Sequence, residues 1–283
     1  MRVIETSIDE DLSLFSQYLW QQRINHRVFE ERGRQVLELA QPVDEETVRK
    51  AYAEWSDGRL VLKALPRARR RLQILQILRG YPGLACLIAT AVVVYPFTAP
   101  LAEGHLTAVA AALTIVDLDR YPQAAPGFTE MLGAFEVWRW LLPVFIHFNV
   151  LHLVFNCAIV IELGRRLEHE FGGWQLCLVV LVLGLVSNLG QYAMNPNPIF
   201  GGLSGVAYGL LGFMLVMQRL VPERAIWHVP AGLSGSLLFF LVLFSTGVTE
   251  GFGLFVANSA HWFGLVSGAL TALVYARTAH ASH

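Results

Sequence analysis

The sequence predicts a mainly α-helical membrane protein, in which a small α+β domain of order βαββα precedes six apolar helices long enough to cross a bilayer. Two observations carry this. Charged residues make up 15% of the 283 residues and mean hydropathy is +0.48, which sets the chain apart from ordinary soluble proteins. The apolar residues gather after residue 80, in runs close to the ~20 residues a helix needs to span ~30 Å of hydrocarbon. The chain is accordingly divided into a soluble domain (1–58), a basic linker (59–79) and a membrane-embedded unit (80–278).

In the first part, Arg2 to Thr6 reads as a strand. Ser7-Ile8-Asp9-Glu10 fits a capping box that starts a helix carrying Leu12, Phe15 and Leu19 on one face. Arg27 to Glu31 and Gln35 to Leu39 form a hairpin around Arg32-Gly33-Arg34, where glycine can take the positive φ of a tight turn. Pro42 and Asp44-Glu45-Glu46 open a second helix through Val48, Tyr52 and Trp55, which Asp57-Gly58 ends. Such a domain has too little core to be an enzyme alone. Met1 to Asp11 lacks the apolar stretch of a cleavable signal peptide, so the N-terminus is expected in the cytoplasm.

Arg67, Arg69, Arg70, Arg71 and Arg79 then lead to the first apolar run, as juxtamembrane arginines at a cytoplasmic surface do. A net charge of −1 gives no argument for nucleic acid. The six segments are Tyr81 to Leu101, Leu141 to Leu163, Trp174 to Met194, Leu203 to Leu220, Val229 to Thr249 and Phe252 to Tyr275. Arg165 with Arg166, Arg219 with Arg224, and Arg277 alternate with loops poor in basic residues, which puts both termini in the cytoplasm. Cys86, Cys157 and Cys177 are odd in number and lie in apolar runs, so they are expected as small core residues without a disulfide. The loop from Ala102 to Trp140 is long enough to be functional, and Trp138 and Trp140 suit a membrane interface.

The residues that can do chemistry lie in three segments. Gly201-Gly202-Leu203-Ser204-Gly205 opens an apolar helix, so Ser204 sits where backbone N–H groups lack intrahelical partners and the helix dipole favours an anion. His261, within the last segment, is costly to bury in lipid and is therefore a functional candidate. Gly205, Gly209 and Gly212 on one segment, and Gly264 and Gly268 on the other, form small-residue faces that let two backbones approach. Tyr208, one turn after Ser204, is placed to pack on the imidazole. No carboxylate is positioned to complete a triad, so a Ser-His dyad is expected.

His152 and Asn156 are i and i+4 on one helix and can either aim donors at an oxyanion, with the Ser204 amide, or simply hydrogen-bond between helices. The His147 to His152 spacing does not suit a helical metal site, and neither a metal nor a cofactor is expected. A transporter would show repeated halves, which are not seen.

Trp138-Arg139, His147-x-x-x-x-His152-x-x-x-Asn156, Gly202-Leu203-Ser204-Gly205 with Tyr208, and Ala260-His261-x-x-Gly264 together resemble the rhomboid intramembrane serine proteases over nearly the whole chain. The resemblance implies a six-helix bundle in a bacterial inner membrane, with Ser204 as nucleophile and His261 as general base. His152, Asn156 and the Ser204 amide would form the oxyanion hole. It also implies that Glu168 ties helices together and that Asn258 is a polar residue ahead of the catalytic histidine. Trp138-Arg139 would anchor the first loop in the lipid interface, and the fifth segment would act as a lateral gate. Glu162 departs from the family's usual uncharged residue. Substrates would be transmembrane proteins within the lipid bilayer; the alternative is a scaffold that binds such proteins without cutting them.

Overall fold

The computed structural model describes residues 2–7, 10–22, 24–31, 33–39, 45–62, 79–121, 125–249, 251 and 255–280. The chain forms two compact units, Met1–Ile74 and Leu75–His283. In the first, β1 (Arg2–Ser7), α1 (Ser13–Gln21), β2 (His26–Glu31), β3 (Arg34–Leu39) and α2 (Glu45–Ser56) follow one another, and the antiparallel sheet has the order β1-β3-β2. The central strand alternates: Leu37 and Leu39 face the helices, where Val3, Phe15, Leu19 and Val48 complete the core. Phe15 carries the rings of Tyr52 and Trp55, each 5.4 Å away. Gly33 takes φ +74° in the hairpin turn, and Gly58 the same value after α2. The open sheet face is laced by charge pairs: Arg2 with Glu31, Arg34 with Glu5, and Arg27 with Glu38.

The first helix does not start behind Ser7. β1 runs on to Ser7, and α1 begins six residues later, where the Asp11 carboxylate accepts from the Ser13 amide at 2.9 Å. Glu10 is drawn to tertiary partners instead, accepting from the hydroxyls of Tyr52 and Thr6. Ile8, Asp9, Pro42, Asp44 and the linker arginines Arg67, Arg69, Arg70 and Arg71 lie outside the described residues.

The second unit comprises α3 (Pro82–Thr98), α4 (Ala108–Leu113), α5 (Phe128–Gly133), α6 (Val150–Phe171), α7 (Gly173–Met194), α8 (Ser204–Leu220), α9 (Ala231–Ser245) and α10 (Asn258–His280), joined in places by short 3-10 turns. Stretches Pro82–Glu103, Gly173–Met194 and Ala225–Ser245 are helical, long and apolar enough to cross a membrane, and Ser204–Leu220 is a shorter apolar helix. The protein is thus an integral membrane protein. Two expected segments start late as helices. Leu141 to Asn149 forms turns around Pro143, and α6 begins only where the Asn149 side chain caps the His152 amide at 2.8 Å. The last helix starts at Asn258, and Phe252, the expected start of that segment, lies outside the described residues.

α8 is the hub of this unit, with eleven of its seventeen residues buried. A Cβ on Gly264 or Gly268 of α10 would run into the carbonyl oxygens of Gly205 or Gly209, and one on Gly212 into that of Leu265. The glycine faces therefore bring α8 and α10 into backbone contact.

Three expectations about side chains need correction. Cys157 is buried, but Cys86 and Cys177 are exposed, because an apolar run in a membrane protein need not face the core. Trp138 is exposed, whereas Arg139 turns inward and donates to the carbonyls of Ala111 (2.7 Å) and Thr114 (3.3 Å), with Glu136 alongside at 3.0 Å. A buried guanidinium is held by loop carbonyls, so only Trp138 of the pair points outward as an interface anchor would. Trp140 also turns in, against the cluster of Ile115, Val116, Met131, Tyr192 and Phe200. Glu162 is not isolated, since it pairs with Arg165 at 2.9 Å and with Arg166 one turn on.

Candidate active site

The site is assembled where the loop entering α8 meets α6, α7 and α10. Gly201 lies so close to Pro143 and Ile146 that a Cβ would overlap the Pro143 carbonyl, and the Gly202 amide donates to that same carbonyl at 3.0 Å. Gly202 has φ +114°, which excludes ordinary side chains. A Cβ there would lie 2.7 Å from the His152 ring and 3.1 Å from Asn156 Nδ2. His152 and Asn156 therefore converge on the backbone two residues before Ser204.

His147 is fully buried behind this loop. The Leu203 amide can only donate, so His147 Nε2 accepts from it at 3.4 Å and Nδ1 carries the proton that goes to the Phe145 carbonyl at 3.2 Å. Thr98 fixes the same turn by bonding both the amide and the carbonyl of His147. His147 thus positions the loop, and its ring stands 5.0 Å from that of His152.

Ser204 is the first residue of α8, and its Oγ lies 2.8 Å from His261 Nε2. His261 is 6% exposed and the Tyr208 ring packs on it at 4.7 Å, tilted by 34°. Tyr208 is held in turn by its hydroxyl, which donates to the Leu237 carbonyl at 2.9 Å. Gly205 and Gly264 allow this meeting of helices, and Asn258 at the start of α10 donates to the Phe244 carbonyl at 2.8 Å. Asn156 Nδ2 and His261 Nδ1 are buried and have no partner among the described residues. Glu168, Trp138 and Arg139 lie outside this cluster. The Glu168 carboxylate accepts from the amides of Gly83 (2.8 Å) and Leu84 (2.7 Å), capping α3 from α6.

Sequence reasoning passed over one polar stripe. Ser187, Asn188 and Gln191 on α7 are all buried. Gln191 accepts from the amide of Ala260, the residue before His261, at 3.0 Å, and Asn188 donates to the carbonyls of Trp140 (2.9 Å) and Leu141 (3.1 Å). Ser187 fills the space between Gly205 and Gly264. Three amide and hydroxyl groups within five residues of an apolar helix were the available signal. Among the described residues no group of three or more potential ligands could hold a metal ion. A hydroxyl hydrogen-bonded to an imidazole at a helix N-terminus, with amide and imidazole groups beside it, is equipped for acyl transfer.

Residues 134–278 match the family model of the Rhomboid domain, and residues 1–65 that of the Rhomboid N-terminal domain. The Rhomboid protease GlpG of Photorhabdus laumondii subsp. laumondii is 39% identical over 138 residues, which cover 49% of this chain and 47% of that protein. The Rhomboid protease GlpG of Yersinia pestis is 36% identical over 137 residues, 48% of each chain, as is that of Yersinia enterocolitica. The chain spans about half the length of the curated relatives it matches.

Proposed function

Because the chain belongs to the rhomboid family, we propose that it is an intramembrane serine endopeptidase, cutting peptide bonds in or near the transmembrane segments of other membrane proteins. The observation that carries this is the 2.8 Å contact between Ser204 Oγ and His261 Nε2. In this reading His261 takes the hydroxyl proton as Ser204 attacks the substrate carbonyl, then passes it to the leaving amine. The tetrahedral oxyanion is held by Asn156 Nδ2, His152 and the Ser204 amide, and the unpaired Asn156 Nδ2 supports that assignment. Tyr208 holds the imidazole ring, and His147, Gly202, Gly205, Asn258 and Gly264 keep the two helices and the loop in register.

In this reading α3, α6, α7, α8, α9 and α10 are six spans of an inner-membrane protein with both termini in the cytoplasm. Residues 1–58 are the cytoplasmic domain, 59–79 a linker and 80–278 the protease domain. α8, at ~1.5 Å per residue, is about 25 Å long, short of the ~30 Å hydrocarbon core. A helix anchored at its inner end by Arg219 leaves Ser204 below the outer surface, where a transmembrane substrate must unwind to expose a carbonyl. Residues that weaken helices should therefore favour cleavage.

The test is cleavage of a membrane-anchored reporter in proteoliposomes. Wild type cuts it, and Ser204→Ala and His261→Ala do not while still inserting. Retained cleavage in either variant removes the assignment. Insertion and client binding without cleavage by wild type would favour the scaffold.

A further inference from the structure

Two of the three cysteines stand where two helices touch. α3 and α7 both begin beside the end of α6: Glu168 of α6 accepts from the first amides of α3, and Gly172 alone separates α6 from α7. Both then run back along α6, side by side. A Cβ on Gly83 would lie 2.8 Å from the Gly173 carbonyl oxygen and 2.9 Å from its Cα, and one on Gly173 would lie 3.2 Å from the Gly83 nitrogen. The two backbones are therefore in contact in their first turns.

Cys86 is three residues after Gly83 and Cys177 four after Gly173, so each thiol sits one turn above the glycine that touches the other helix, on the same face. Leu84 and Leu176 take the inward side, buried about Gly164, and the two cysteines are left exposed on the outer side. The thiols are near enough that charge on Cys86 acts on Cys177. Helix axes commonly pass about 8–10 Å apart, whereas a disulfide needs Cα atoms within about 7 Å of each other. Glycine contact closes that difference here. Each cysteine lies four residues into its helix, about 6 Å from its start, and Trp174 is exposed at the same end of α7 as an interfacial aromatic is. Thiols at that depth meet water-borne reagents. Cys157, by contrast, is buried in the core on α6.

We propose that Cys86 and Cys177 are a redox-active dithiol, which a peroxide converts to an interhelical disulfide that staples α3 to α7. One thiolate attacks a peroxide oxygen, the O–O bond breaks, and a sulfenic acid forms while hydroxide leaves and is protonated to water. The second thiolate attacks the sulfenic sulfur, the S–S bond forms and the S–O bond breaks, with hydroxide again leaving as water. Two thiols and one hydrogen peroxide thus give one disulfide and two waters, and a dithiol reductant reverses the change. In the orientation proposed above, this end of the bundle faces the cytoplasm, where thiols are kept reduced and a disulfide is a transient, redox-sensing bond. The loop it closes takes in α4, α5 and α6, so the staple constrains the unfolded chain and stabilises the second unit. Neither thiol belongs to the Ser204–His261 site, so the pair stands or falls apart from the protease reading.

The experiment uses the full chain in proteoliposomes as wild type, Cys86→Ser, Cys177→Ser and Cys157→Ser. Each is treated with hydrogen peroxide, remaining thiols are blocked with N-ethylmaleimide, and the products are mapped by peptide mass spectrometry before and after dithiothreitol. In wild type and Cys157→Ser, a peptide linked through Cys86 and Cys177 of one copy is expected, and dithiothreitol should release it. The oxidised form should unfold about 5 °C or more above the reduced one. In Cys86→Ser and Cys177→Ser the remaining thiol should stop at the sulfenic acid, trapped by a dimedone probe, with no rise in unfolding temperature. Peroxide that leaves both wild-type thiols free or oxidises them separately would overturn the dithiol. So would a disulfide that forms only through Cys157 or only between two copies, or a Cys86–Cys177 link that leaves the unfolding temperature unchanged.

Discussion

The two units put their polar groups in opposite places. In the first, Arg2, Arg27 and Arg34 pair with Glu31, Glu38 and Glu5 on an open sheet face, while Phe15, Leu19 and Leu37 are almost wholly buried. In the second, Val93, Leu151, Phe155 and Trp174 are exposed, while His147, Asn156, Ser187, Asn188, Gln191 and His261 are buried. Water repays exposed charge and expels apolar surface. Hydrocarbon does neither, so there the close contact of glycine backbones and the pairing of buried polar groups hold helices together. Removing one buried polar group should therefore cost more in the second unit, in turnover or in stability according to what the group serves, than removing an exposed ion pair costs in the first.

The strongest test of that contrast is Ser204→Ala or His261→Ala. Each is expected to lower reporter turnover by about 10⁴-fold or more with little change in thermal unfolding, because in the proposed protease reading these side chains serve chemistry rather than packing. Asn156→Ala comes next. Losing one donor of several should cost about 2–4 kcal/mol in the barrier, read as a fall in kcat at steady KM. An unchanged kcat would return Asn156 to a purely structural role.

Gly268→Val drives a side chain into the Gly209 carbonyl and should destabilise by about 1–3 kcal/mol or more. A falling unfolding temperature in detergent would report the parting of α8 and α10. Glu168→Gln leaves one acceptor for two amides of α3 and should cost about 1–2 kcal/mol, seen as faster hydrogen exchange at Gly83 and Leu84.

The smallest effect belongs to the first unit. The hydrogen bond from Arg27 holds the Glu38 carboxyl below the usual carboxylate range. A carboxyl depressed in the folded state adds stability above its unfolded pKa of about 4.3 and loses it as pH falls through the folded value. Arg27→Ala should thus produce a slight, salt-sensitive increase in β2 amide exchange at pH 7 that fades toward pH 3. A large effect at neutral pH would contradict the contrast between the units.

What could be read from the residues follows the same division. The hairpin was legible because Gly33 stands between two alternating runs, and α2 because acidic residues precede Val48 and Tyr52 and Gly58 follows. The start of α1 was not, since Glu10 is claimed by Tyr52, forty-two positions away in sequence. In the second unit, hydropathy located the apolar runs but could not see that Pro143 and Asn149 delay α6. It also could not tell which face of a run meets lipid, so Cys86 and Cys177 were misplaced. Ser204 and His261 stood out as polar groups in apolar surroundings. Gln191 was equally polar, but its partner is a backbone amide, and nothing in a side-chain pattern announces that.

The most direct test is to treat the membrane-embedded protein with a fluorophosphonate and locate the adduct by peptide mass spectrometry. A single adduct on Ser204, abolished by His261→Ala in protein that keeps its unfolding temperature, is the expected result. An adduct on another serine, or one on Ser204 that forms as fast without His261, would contradict the account.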